Sequence, residues 1–255
     1  TARSHPLLRV PAAGIPMSLH RLELIDTTPI PNGGGELKLY RQGDAWSIRV
    51  VGIRAGGGNE LMNSRLHGSE DKLAELACGR VARRPAARVL VGGLGMGYTL
   101  AAALRHLGPD ARVVVAELVP GVVRWNEGPL GDCAGRPLTD PRTQVHVGDV
   151  AGPIRDQRAG FDAILLDVDN GPEGLVHRSN DWLYSPEGLR AAQGALRPGG
   201  VLAIWSAGPD PRFTLRLRKC GYRVEEVNVR AHGNKGARHL VWLATPAWAG
   251  QPDRD

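Results

Sequence analysis

The chain has 255 residues, 42% hydrophobic and 23% charged, enough for one large domain with a proper core and against wholesale disorder. No apolar run approaches 18 residues, so no helix is expected to span a membrane. The net charge is +6, but the excess rests on 28 scattered arginines, so nucleic acid is not the favoured partner. Cys78, Cys133 and Cys220 are odd in number and far apart, with no CxxC pair; they read as reduced, cytoplasmic thiols, and no metal site is expected.

Residues 1–16 hold three prolines and no periodicity and read as a loose tail rather than a secretory signal; Met17 would make a natural start. Residues 17–68 read as a small β-rich domain. Leu37 and Leu39, then Trp46, Ile48 and Val50, alternate with polar residues around a turn at Gln42-Gly43-Asp44. A second turn at Gly56–Asn59 precedes a short strand, Glu60–Asn63. Ser69 followed by helix formers predicts a capped helix over 70–83.

From Arg88 strands alternate with helices. Strands are expected at 88–91, 112–117, 143–147, 162–167 and 201–205. Helices are expected at 98–107, 121–127, 150–157, 186–196 and 211–220. Two last strands, 222–229 and 239–244, are separated by a loop at 230–238 and can pair antiparallel. The central strands are nearly continuous apolar runs, as when helices cover both faces. The fold class expected over 69–246 is α/β, a Rossmann-like doubly wound and mostly parallel sheet with an antiparallel final strand, with 247–255 as a tail. The arginine clusters at 80–88 and 212–223 fall on helices and their exits. They read as solvated faces, with a polyanion patch as the alternative.

The motif richest in chemistry is Val91-Gly92-Gly93-Leu94-Gly95-Met96-Gly97. It follows a strand and opens a helix, where glycines let the backbone approach a ligand and free N–H groups face outward. Such turns serve dinucleotides and adenosyl ligands alike. Glu117 ends the next strand, 24 residues after Gly93, and suits a pair of ribose hydroxyls. Asp149 follows the third strand and suits an adenine amine. Asp167 and Asp169 follow the fourth. Taken singly, Glu117 or Asp149 could simply cap the next helix. Four acids at the carboxyl edge of one sheet point to a ligand site. Asp149, the acids after strand four and the antiparallel tail favour an adenosyl sulfonium over a dinucleotide. No P-loop lysine follows the glycines, which argues against ATP.

With these segments in view, residues 61–244 resemble the spermidine synthase (aminopropyltransferase) family on the class I S-adenosylmethionine-dependent methyltransferase fold. The resemblance lies in GGLGMGYTL (92–100), VVVAELVPGVV (113–123), DPRTQVHVGD (140–149), FDAILLDVDNGP (161–172), LYSPEGL (183–189) and LRPGGVLAIWSA (196–207). The hairpins and NSRLHGSE (63–70) resemble that family's N-terminal β-domain and its approach to the first helix. The resemblance implies that Gly93, Gly95 and Gly97 line the methionine or aminopropyl arm. It implies that Glu117 holds the ribose, that Asp149 holds the adenine amine and that Asp167 stands beside the sulfonium. His67 would lie near the ligand's edge, a structural histidine being the alternative. Asn170, Trp182 and Tyr184 would line the acceptor pocket, the two aromatics serving otherwise as packing. A homodimer through the N-terminal sheet is implied as well.

Two departures bear on the reaction. The family usually carries an aspartate inside the glycine turn, where Leu94 and Met96 stand here. It also carries Asp-x-x-Asp-Pro after strand four, where this chain has Asp167-Val168-Asp169-Asn170. Both remove negative charge from where a polyamine would sit. On that ground S-adenosylmethionine itself is the expected donor, and methyl transfer to a small-molecule or peptidic N or O nucleophile is the first reading. The alternatives are aminopropyl transfer from decarboxylated S-adenosylmethionine, transfer of the 3-amino-3-carboxypropyl arm, and a non-enzymatic nucleoside-binding protein. Asp167 or Asp169 is the expected base, with Asp169 otherwise a turn residue and His177 a further option. Trp205 and Ser206 read as structural. The segment 128–140 and Cys133 are assigned no role.

Overall fold

The computed structural model describes residues 21–33, 35–52, 59–168, 181–232 and 235–247. An N-terminal antiparallel sheet has the order β1 (Glu23–Pro29), β2 (Glu36–Gln42), β3 (Ala45–Val51), β4 (Asn59–Asn63). Leu39 pairs with Ile48 across β2 and β3, so the alternating apolar residues share one buried face. β1 has no apolar alternation and is largely exposed; its pairing with β2 recruits it through the backbone, which the sequence pattern did not reveal.

The main sheet has seven strands. These are β5 (Arg88–Gly92), β6 (Arg112–Glu117), β7 (Thr143–Val147), β8 (Phe161–Leu166), β9 (Leu196–Ser206), β10 (Tyr222–His232) and β11 (Lys235–Pro246). Their order is β10-β11-β9-β8-β5-β6-β7, with β11 antiparallel to both neighbours and the other pairings parallel. The expected fold class is what the structure shows.

Helices cover both faces. On one side lie α1 (Gly68–Gly79), α2 (Tyr98–His106) and α3 (Pro120–Glu127), which share a core with the N-terminal sheet. On the other lie α4 (Ala151–Asp156), α6 (Pro186–Ala195) and α7 (Pro211–Lys219); α5 (Asp181–Tyr184) precedes α6. β8 shows why its run is uninterrupted: Ala163 and Leu165 enter the first core, Ile164 and Leu166 the second.

Several boundaries differ from expectation. α1 starts at Gly68 after His67, without a side-chain cap, and ends at Gly79; Ser69 donates to Glu70 Oε2 (2.6 Å) instead of capping. β9 begins at Leu196, because the chain resumes pairing with Phe161 before the Pro198-Gly199-Gly200 irregularity. The expected loop at 230–238 is mostly strand, since β10 and β11 stay paired out to His232 and Lys235. Segment 128–140 forms two short 3-10 turns, 131–134 and 137–139. No described helix is long and apolar enough to cross a membrane.

Candidate active site

The ends of β5, β6, β7 and β8 open onto one cavity of about 200 Å³. Its far wall comes from the N-terminal sheet, through Leu37, Ile48, Leu61 and Met62, and from Ile30 between β1 and β2. The small sheet therefore closes the site, which local sequence patterning did not suggest.

The glycine turn after β5 forms the floor. Gly93, Gly95 and Gly97 all have left-handed backbone (φ +88°, +52° and +85°). A Cβ on Gly93 would run into the carbonyl of Asp167, so only glycine fits there. Gly93 and Gly95 line the cavity together with the buried Leu94 and Met96. Gly97 does not. It is the N-cap of α2, and its open side faces Asn126, Ala134 and Pro137. Asn126 Nδ2 donates to the Gly95 carbonyl (2.8 Å) and fixes the turn from below.

Glu117 ends β6, and its side chain is buried in the cavity wall. Its two oxygens accept the backbone N–H groups of Leu94 (2.9 Å) and Val119 (2.8 Å). Burial pushes its carboxyl above the ordinary range, and the surrounding amides oppose this. Asp149 follows β7, lines the cavity and accepts the N–H of Ala151 (2.8 Å). Helix-end capping and cavity lining thus coincide in that one side chain.

Asp167 follows β8, held by its own N–H on the Gly92 carbonyl (2.9 Å) and by Thr99, whose hydroxyl donates to Oδ2 (2.5 Å). Burial first, then the nearby charge of Glu70, push its carboxyl from 3.8 up to about 7, and the Thr99 hydrogen bond opposes them. A carboxylate so tuned accepts protons near neutral pH.

Asp169, Asn170 and His177 lie outside the described residues. The other expected pocket residues have different surroundings. His67 stacks on Tyr98 (4.1 Å between centroids), and its Nδ1 lies 2.8 Å from Asp71 Oδ2; Tyr98, not His67, lines the cavity. Trp182 sits under the Arg155 guanidinium (3.8 Å) and packs against the second core. Tyr184 is buried edge-on against Phe213 and donates to the Val168 carbonyl (3.2 Å), steadying the backbone after Asp167. Neither aromatic lines the cavity. Trp205, read as structural, does line it, whereas Ser206 is buried and bonds Gly208.

One cavity carboxylate was not singled out from the sequence: Glu70, in the first turn of α1. Its motif, NSRLHGSE, was legible, but its reach to Asp167 depends on how α1 packs. Among the described residues four carboxylates thus line the cavity: Glu70, Glu117, Asp149 and Asp167. Among the described residues no lysine, arginine or histidine does, in a chain of net charge +6. No group of three or more potential metal ligands occurs among the described residues.

No protein-family model matches the chain. It is 33% identical over 134 residues to a polyamine aminopropyltransferase of Nitrosomonas europaea, covering 52% of this chain and 39% of that protein. It is 29% identical over 162 residues to polyamine aminopropyltransferase 1 of Streptomyces coelicolor, covering 60% and 30%. The matches thus span less than half the length of these relatives. A crystal structure of spermidine synthase with the transition-state analogue AdoDATO superposes with a TM-score of 0.66 at 16% identity, over 87% of this chain and 72% of that one. The O-methyltransferase TomG of Streptomyces achromogenes, bound to SAM, reaches 0.50 at 22% identity, over 69% and 79%. At these identities the structures speak to the fold, which is spermidine synthase-like.

Proposed function

We propose that the chain is an aminopropyltransferase, using decarboxylated S-adenosylmethionine as alkyl donor and a small amine as acceptor. The observation that carries this reading is the cavity's charge: four carboxylates and no cation line it among the described residues. A donor bearing only an ammonium and a sulfonium meets its counter-charges there. S-adenosylmethionine would add an α-carboxylate with no cationic side chain among the described lining residues to pair it. The similarity to polyamine aminopropyltransferases favours the same choice. Methyl transfer, the first reading of the sequence, counted only acids near in sequence to the glycine turn and to strand four; Glu70 enters the cavity from α1.

The donor supplies a carbon already activated by its sulfonium: an acceptor amine attacks it, a C–N bond forms, and the C–S pair stays on sulfur as the thioether. The protein's part is positioning and proton removal. In this reading Glu117 receives the ribose hydroxyls, Asp149 the adenine amine, and the turn at Gly93 and Gly95 carries the alkyl arm. Asp167 sits where a proton leaves the attacking amine, which must be neutral to react. The test is calorimetric titration with both donors. Decarboxylated S-adenosylmethionine should bind at least about tenfold more tightly, about 1.4 kcal/mol. Equal or reversed affinities would overturn the reading.

A further inference from the structure

The four cavity carboxylates are not equivalent. Glu117 and Asp149 spend lone pairs on backbone N–H groups and thereby hold the turns around them. Asp167 takes one hydroxyl, from Thr99, and carries the proton chemistry of the proposed reaction. Among the described residues Glu70 takes only the hydroxyl of the adjacent Ser69, which leaves most of its lone-pair capacity unspent at the cavity it lines. It comes from a different element, α1, whose N-terminal end lies over the carboxyl edge of the sheet: a Cβ on Gly68 would touch the Ala231 carbonyl of β10.

The surroundings of Glu70 fit an ammonium. Its negative charge is felt at Asp167, Tyr98 and His239. The ring of His239 packs at a tilt of 34° against the cavity residue Trp205, with centroids 4.8 Å apart. His239 bonds the backbone of Ala207 and its buried Nδ1 has no partner among the described residues. The glycine turn adds no charge, since Leu94 and Met96 are apolar and buried.

We propose that Glu70 is the specificity-determining residue of this cavity, the carboxylate that receives the primary ammonium of the donor's alkyl arm and turns away a donor carrying an α-carboxylate. This rests on the aminopropyl-transfer reading and names the residue that enforces it. Glu70 acts by charge alone, so Glu70→Gln keeps its size and hydrogen bonding while removing the counter-ion.

The experiment compares wild type and Glu70→Gln in calorimetric titrations with three probes: decarboxylated S-adenosylmethionine, S-adenosylmethionine, and 5′-methylthioadenosine, which has the nucleoside but no alkyl-arm ammonium. The expected result is that the variant binds 5′-methylthioadenosine like wild type, binds the decarboxylated donor at least tenfold more weakly, and binds S-adenosylmethionine no worse. A variant whose preference between the two donors equals that of wild type overturns the assignment and leaves aminopropyl transfer standing. A variant that loses 5′-methylthioadenosine as well also overturns it, placing Glu70 in nucleoside binding or in folding. A wild type that prefers S-adenosylmethionine refutes the functional reading itself.

Discussion

Replacing Asp167 by Asn should stabilise the ligand-free fold while destroying activity. In the fold Asp167 gains protons up to about 7, against 3.8 in the open chain. Between these pH values the folded state holds a proton that the unfolded state has lost. Stability therefore falls as pH rises through that window and levels off above it. The rise from 3.8 to about 7 corresponds to about 4 kcal/mol at pH 8, at about 1.36 kcal/mol per tenfold change. Asn keeps an acceptor for Thr99 but forfeits the charged part of that bond, about 1 kcal/mol. The net gain is about 3 kcal/mol, or about 6–12 °C in melting temperature for a chain of this size. Calorimetric melting of both proteins from pH 4 to pH 8 reads it directly. The gap should be near zero at pH 4 and widen towards pH 8. A variant that melts at or below wild type at pH 8, or a gap independent of pH, would refute the argument that burial and Glu70 together burden this carboxylate.

Other substitutions test other links. Glu117→Ala removes the acceptor for two backbone N–H groups, at about 1–3 kcal/mol each, and should weaken 5′-methylthioadenosine binding by at least about tenfold in calorimetry. Gly93→Ala forces a side chain onto the Asp167 carbonyl at a left-handed position; melting temperature should drop and nucleoside binding vanish. Asp162 is buried and holds Arg84 (2.7 Å), Arg197 (2.9 Å) and the N–H of Arg88 (2.8 Å), away from the cavity lining. Asp162→Ala should cost about 3 kcal/mol in denaturant titration, leaving turnover per folded molecule unchanged below the transition.

The centre of the main sheet was legible because strands such as β5, β6 and β8 are short apolar runs bounded by turn residues, and both faces demand the same residues. Glu117, Asp149 and Asp167 were legible for a related reason: their places at strand ends follow from chain order alone. The features that escaped depend on contacts distant in sequence. β1 carries no apolar alternation, so only its pairing with β2 reveals it. The wall contributed by Leu37, Ile48 and Met62 requires the small sheet to fold over the large one. Gly97 shared the turn's sequence pattern with Gly93 but serves the helix cap, a distinction made by the packing of Asn126 and Pro137. Glu70 was the costliest omission, because the absence of an acid from the glycine turn looked decisive until α1 supplied one.

The most direct test is product analysis by mass spectrometry. The chain is incubated with putrescine and decarboxylated S-adenosylmethionine, and separately with putrescine and S-adenosylmethionine. The account predicts 5′-methylthioadenosine and an acceptor extended by one aminopropyl group in the first mixture, with no transfer in the second. Release of S-adenosylhomocysteine with an acceptor heavier by one methyl group would contradict it.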